Sequence, residues 1–190
     1  MELATPPTVR DLVAGLPRLA PDELTKLLAD RTGPTVGQDQ AQRLAEGHLW
    51  LVLEAAEERE SETVPLEDLF QEGSSALITL VHGLNPAQPL APEEFLSRVR
   101  QAVRQVMDAL VAEEEEARLE DLRWAADAER LLAAEIELRL DSEAVPSDTE
   151  LAARLGWPPA RVAQLRQAVD EARNQHDAEL LDILGEIEGS

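Results

Sequence analysis

Along this chain, apolar residues recur at three- and four-residue steps, and Gly and Pro cut the pattern into separate helical stretches. From Asp39 to Arg59, DQAQRLAEGHLWLVLEAAEER sets Leu44, Leu51, Val52 and Ala55 on one stripe, with Gly47 weakening the helix without clearly ending it. Pro65 then opens LEDLFQEGSSALITLVHG, where Leu66, Leu69, Phe70, Leu77, Leu80 and Val81 keep the helical period. The three prolines of LNPAQPLAP demand a loop, and Pro92-Glu93-Glu94 starts a long helix carrying Phe95, Val99, Val103, Val106 and Leu110. Four adjacent acids, Glu113 to Glu116, repel one another and mark either a solvated face or a helix boundary.

Beyond them, ARLEDLRWAADAERLLAAEIELRL favours helix and offers Leu119, Leu122, Ala126, Leu131, Ile136 and Leu140 for packing. Ser147 and Glu150 have capping-box spacing, Gly156 turns the chain, and paired prolines start another helix, which together make a helix-turn-helix outline. Trp157 falls at its hinge and is expected to pack between its helices. Trp50 and Trp124 lie on helical stripes and read as core. The segment before Gln38 supplies a loop, TPPT, and one helix, PDELTKLLADR, with Asp22 and Glu23 where the helix dipole favours anions. The C-terminal HDAELLDILGEIEGS is acidic and amphipathic. The pattern predicts an all-α protein in three parts: an arm or small helical subdomain at 1–38, a helical domain at 39–116, and a second at 117–190 ending in an acidic tail.

Composition narrows the chemistry. With no Tyr and only Trp50, Trp124, Trp157, Phe70 and Phe95 as aromatics, the core is aliphatic. No Cys is present, so disulfides and thiolate metal sites are excluded. Neither an export signal nor an apolar run long enough for a membrane span is found, which predicts a soluble, cytoplasmic protein. His48, His82 and His176 lack metal-type spacing, and there is no phosphate loop and no nucleophile beside a base. The expectation is therefore no enzyme, no cofactor, no metal and no small-molecule substrate. Charge is the strongest signal: 39 Asp and Glu against 17 Lys and Arg give a formal net charge of -22. Such an excess opposes binding to duplex phosphates and favours a basic surface on another protein, or simply keeps a helical protein in solution.

Several motifs occur in one order. Asp68, Leu69, Phe70, Gln71, Glu72, Gly73, Ala76 and Leu77 match a D-L-I-Q-E-G run with a small residue and Leu after it, and upstream HLWLVLEAA matches N-L-R-L-V-V-x-x-A at Leu49, Leu51, Val52 and Ala56. Val99, Arg100, Gln101, Ala102 and Val103 echo I-R-Q-A-I, and PSDTELAARLGWPPARVAQL follows P-T-x-E-E-[IL]-A-x-x-L-G-[MW] and its continuation from Pro146 to Leu165. Over roughly residues 40 to 188 the chain thus resembles the bacterial sigma-70 family of RNA polymerase sigma factors. The resemblance implies a region-two-like helical bundle followed by a region-three-like three-helix module. It also implies that the helix at Leu66 to Val81 docks on the clamp coiled coil of the largest subunit of core RNA polymerase, through Leu66, Asp68, Leu69, Gln71 and Glu72. Candidate DNA contacts by the same resemblance are Arg98, Arg100, Gln101 and Arg161.

The pattern departs from the family where DNA is melted. The aromatics that the family places before I-R-Q-A-I are here Ala91, Glu94, Ser97 and Arg98, and its K-K-Y at the end of the upstream helix is Glu57, Glu58 and Arg59. Its K-F-D after the docking helix becomes Gly83, Leu84 and Asn85, and no fourth region follows. Each lost base stack costs about 1–3 kcal/mol, and anions in place of cations remove counterion release. The expected function is a sigma-like regulator that binds core polymerase, with promoter DNA bound weakly or only within a complex, where a second polypeptide supplies DNA contacts. A divergent but active sigma factor, and an acidic DNA mimic or scaffold for a basic partner, are the alternatives.

Overall fold

The computed structural model describes residues 7–29, 37–85, 88, 90–142 and 144–188, with side chains as far as residue 175. Every regular element among them is a helix: α1 (Val9–Ala14), α2 (Pro21–Ala29), α3 (Gln38–Glu46), α4 (Leu49–Glu57), α5 (Leu66–His82), α6 (Pro92–Ser142), α7 (Asp148–Leu155) and α8 (Pro159–Glu188). The all-helical class expected from the apolar period is what the chain adopts. It divides into two compact units, Met1–Glu116 and Ala117–Ser190. No helix among the described residues is long and apolar enough to cross a membrane.

The first unit is built around α5. Its inward stripe Leu66, Leu69, Gly73, Leu77 and Val81 is buried, meeting Leu51, Val52, Ala55 and Ala56 of α4 and Phe95, Val99, Val103 and Met107 of α6 in one core. Each such aliphatic side chain taken fully out of water stabilises the fold by about 1.5–3 kcal/mol. Gly73 sets how closely these helices approach. A Cβ there would lie 2.4 Å from Met107 Cε and 2.7 Å from Val52 Cγ1. The Met107 terminus can swing aside, but Val52 is stiff at χ1 and fully buried, so even a methyl group forces the helices apart.

Three details go beyond the pattern-based expectation. Gly47 does end its helix: α3 stops at Glu46 and α4 begins at Leu49, and Leu19 packs over position 47, where a Cβ would sit 2.4 Å from Leu19 Cγ. In the segment before 38, Leu24 and Leu28 of α2 belong to the same core as α4 and α5. That segment's first helix, α1, was not anticipated. Thr8 and Asp11 close a capping box, with Asp11 N–H donating to Thr8 Oγ1 at 3.3 Å and Thr8 N–H to Asp11 Oδ2 at 3.0 Å. The Thr8 hydroxyl, which donates to Asp11 Oδ2 at 2.7 Å, and then the Thr8 N–H hold the Asp11 carboxylate below its ordinary pKa. The T-x-x-D signal was available, but the neighbouring prolines masked it.

α6 runs unbroken through Glu113 to Glu116, so this run is a solvated face and not a helix boundary. Residues of α6 beyond Glu116 pair with α7 and α8 in the second unit, whose core is Leu131, Ala134, Leu151, Ala152, Val162 and Leu165. The capping box at Ser147 forms, with Glu150 N–H donating to Ser147 Oγ at 3.3 Å, and Gly156 adopts the left-handed φ of 68° that ends α7. α8 continues to Glu188. Its side chains from residue 176 on, including His176 and the acidic tail, lie outside the described residues.

His48 is a buried polar group, 3% exposed, at the α3–α4 turn. Its Nδ1–H donates to the Leu44 carbonyl at 2.7 Å, and its ring meets Phe95 edge-on at 5.0 Å. Burial depresses its pKa, and the hydrogen bond to Leu44 opposes this only in part. The neutral ring is therefore native, whereas the unfolded chain takes up a proton near pH 6.5. Stability from this group is complete above that value and is lost as pH falls below it. Two measurements follow. Gly73→Val should destabilise the first unit by about 2 kcal/mol or more, read as faster hydrogen exchange across α4 and α5; unchanged exchange would mean that the helices are not seated this closely. Between pH 7 and pH 5.5, the urea-unfolding free energy of the parent should fall more steeply than that of His48→Gln, by at most about 1.4 kcal/mol per pH unit.

Candidate functional site

The face of α5 opposite its buried stripe carries Asp68, Gln71, Glu72, Ser75, Ile78, Thr79 and His82, all exposed. At 1.5 Å per residue this ridge extends about 21 Å from Asp68 to His82. Its N-terminal end is acidic because Glu67 and Asp68 occupy the first turn, where the helix dipole favours carboxylates. Its C-terminal end is apolar: Ile78 is 45% exposed, and beside it a hollow of about 310 Å³ is lined by Ala41, Ala45, Leu49 and Val81. An elongated, rigidly backed ridge of this kind suits a helical partner that brings cationic or amide groups to one end and an aliphatic side chain to the other.

Asp68, Gln71 and Glu72 share this ridge. Leu66 and Leu69 do not: at 3% and 0% exposure they anchor α5 in the core and have no surface to offer a partner. Leu is an expected contact residue in a docking motif, but here the helical phase that exposes Asp68 turns Leu66 and Leu69 inward. Ile78 was missed as part of the ridge. Its signal was that it falls out of phase with the buried stripe, unlike Leu77 and Val81.

Of the four candidate DNA contacts, the three on α6 do not share one face. Arg98 and Gln101 share a face of α6 and flank a shallow hollow of about 370 Å³ with Gly83 and Gln105. Arg98 is engaged with Glu94, one turn back, at 2.6 Å. Arg100 sits on the other side of the same helix, one turn from Arg104. Arg161 belongs to the second unit, where it is paired with Asp127 and stacks 5.1 Å above the Trp157 ring. Where the family carries its basic and aromatic end, Glu57 binds Arg10 at 2.8 Å, and Arg59 binds Asp108 at 2.7 Å and the Ala55 carbonyl at 3.0 Å. Arg166 is held by Asp148 at 2.8 Å and by Glu135 at 3.4 Å, which raises its pKa above the ordinary arginine value. Pairs of this kind that are exposed add about 0–1 kcal/mol each, so their effect lies elsewhere: cations that a phosphate would need already face carboxylates.

Among the aromatics, Trp50 is half-buried under Arg18, whose guanidinium lies 4.7 Å from its ring. Trp157 packs on the second core at the α7–α8 turn, as its position at the hinge predicts, with Arg130 and Arg161 over its ring. Trp124 is not core. It is 44% exposed and lines a hollow of about 600 Å³ with Glu120, Asp127, Arg161 and Gln164. Among the described residues no cluster of three or more metal-ligating side chains occurs.

The split between anchor and face is testable by stability alone. Leu69→Ala should cost about 2–5 kcal/mol, while Asp68→Ala, Gln71→Ala and Glu72→Ala should each stay within about 0.5 kcal/mol of the parent in urea unfolding. No protein-family model matches this chain, and no curated protein matches it significantly.

Proposed function

We propose that this chain is a sigma-like transcription regulator that binds core RNA polymerase through the outer ridge of α5 and does not recognise promoters by itself. On this reading residues 39–116 form a region-two-like bundle, and residues 117–190 form a region-three-like module with its helix-turn-helix at α7 and α8. The observation that carries the proposal is the ridge itself. Asp68, Gln71 and Glu72 of the D-L-F-Q-E-G motif all face outward, and the motif's glycine, Gly73, is the residue that seats the helix beneath them.

The partner surface is the clamp coiled coil of the largest subunit, a helix-on-helix contact in which Asp68 and Glu72 meet cations and Ile78 meets an aliphatic side chain. Weak DNA binding follows from charge. A net charge of -22 repels phosphates at long range, Arg10, Arg59, Arg98 and Arg161 are engaged with carboxylates, and none of the positions for base-stacking aromatics holds one. By occupying the coiled coil, the chain would compete with sigma factors. Joined by a second polypeptide that supplies DNA contacts, it would act as one half of a split factor.

Purified chain should be retained by core polymerase at two salt concentrations, since a ridge with an apolar end tolerates salt better than a purely ionic one. Asp68→Arg and Gln71→Ala should each weaken retention about tenfold or more, equivalent to about 1.4 kcal/mol. Loss of all binding in the parent would sink the proposal and favour an acidic scaffold for another basic protein. Specific initiation by the chain with core polymerase alone would identify a divergent but active sigma factor.

A further inference from the structure

Within the second unit, α6 carries two apolar stripes on opposite sides. One, centred on Leu131, Ala134 and Leu138, faces α7 and α8. The other is Leu119, Leu122, Ala126, Ala133, Ile136 and Leu140, and it faces solvent: Leu122 is 53% exposed, Ile136 60% and Leu140 81%. These positions follow strict alternating steps of three and four residues, with Glu129 filling the one remaining place in the series. Three heptads of this kind are the seam along which a second helix winds. Globular packing accounts for the first stripe and leaves the second uncovered.

The charges beside the seam indicate what would cover it. Between residues 117 and 140 every Arg, namely Arg118, Arg123, Arg130 and Arg139, occupies a position flanking the seam, where coiled coils choose their partners. Of the six acids in the same stretch only Glu137 flanks it, and Glu129 lies on it. In a chain with a large acidic excess this is local segregation of charge, opposite in sign to the whole. Arg130 and Arg139 already meet Asp127 at 3.9 Å and Glu135 at 2.7 Å, but with side chains 64% and 51% exposed, these pairs yield readily to a partner's carboxylates. A second copy of this chain fits poorly. Whether parallel or antiparallel about the middle of the seam, it would set Glu129 against Glu129 and bring Arg flanks towards Arg flanks.

We infer that the exposed seam Leu119 to Leu140 of α6 is a docking surface for one amphipathic helix of another protein, with an aliphatic seam, Glu or Asp along its flanks and a polar or basic residue opposite Glu129. Ala126 and Ala133 leave room for that helix to approach closely, and Glu129 fixes its register. This surface is separate from the α5 ridge and does not rest on polymerase binding.

The probe is a synthetic three-heptad helix with Leu on its seam, one Asn at the place facing Glu129, and Glu at every flanking position; the control carries Lys in place of Glu. Net charge alone predicts that the acidic full chain prefers the Lys peptide, whereas the seam predicts the reverse. By fluorescence anisotropy the Glu peptide should bind the full chain at least tenfold more tightly than the Lys peptide. The double variant Leu122→Glu, Ile136→Glu should lose that binding by tenfold or more while keeping its helical circular dichroism, because both side chains are exposed. Equal or reversed preference, no binding of the Glu peptide, or binding that survives the double variant would overturn the inference. So would sedimentation showing that the parent self-associates through these same two residues.

Discussion

The close seating of α5 through Gly73 is the constraint on which the first unit depends. With no side chain at that position, Val52 of α4 and Met107 of α6 both reach the α5 backbone, and the helix is fixed in rotation as well as in distance. Rotation matters because the helix is polar on one side and apolar on the other. A turn of about 100°, one residue's worth, would carry Leu69 to the exposed place that Asp68 now holds. A glycine that weakens a helix by about 1 kcal/mol is thus tolerated for what it does to the opposite face, where it holds Asp68, Gln71 and Glu72 at one orientation.

Charge acts on a different scale. The acidic excess is spread over the surface, but many of the described cations are held locally by carboxylates: Arg10 by Glu57 and Glu60, Arg59 by Asp108, Arg154 by Glu137, and Arg166 by Asp148 and Glu135. These pairs contribute little stability one by one. Their consequence is electrostatic. The positive charge is partly neutralised at short range, while the uncompensated carboxylates set the sign of the field that an approaching macromolecule meets. The α6 seam is the exception, since its Arg residues flank an apolar strip and four of the six acids in that stretch face away from it.

Helical class, the capping box at Ser147, the turn at Gly156 and the start of α6 at Pro92 were all legible in the chain, because each rests on local chemistry within a few residues. What was not legible depends on contacts between distant residues. Leu19 lies over Gly47, where α3 ends and only a glycine fits, and no window around position 47 contains Leu19. Leu66 and Leu69 match a docking motif, yet whether a Leu in such a motif is anchor or contact is decided by helical phase against α4 and α6. For the same reason Leu119, Leu122, Ile136 and Leu140 were expected to pack and instead face outward: one period fits two stripes, and only the position of α7 and α8 shows which is covered. Arg161 looked available from its motif, but its pairing with Asp127 joins residues that are 34 positions apart.

Carboxyl-group labelling of the full chain, alone and mixed with core RNA polymerase, addresses the α5 ridge most directly, because it reads the proposed contact atoms without altering them. The account predicts that Asp68 and Glu72 lose most of their labelling in the mixture while Glu113 and Glu116 label as before. Equal labelling of Asp68 and Glu72 with and without polymerase would contradict it.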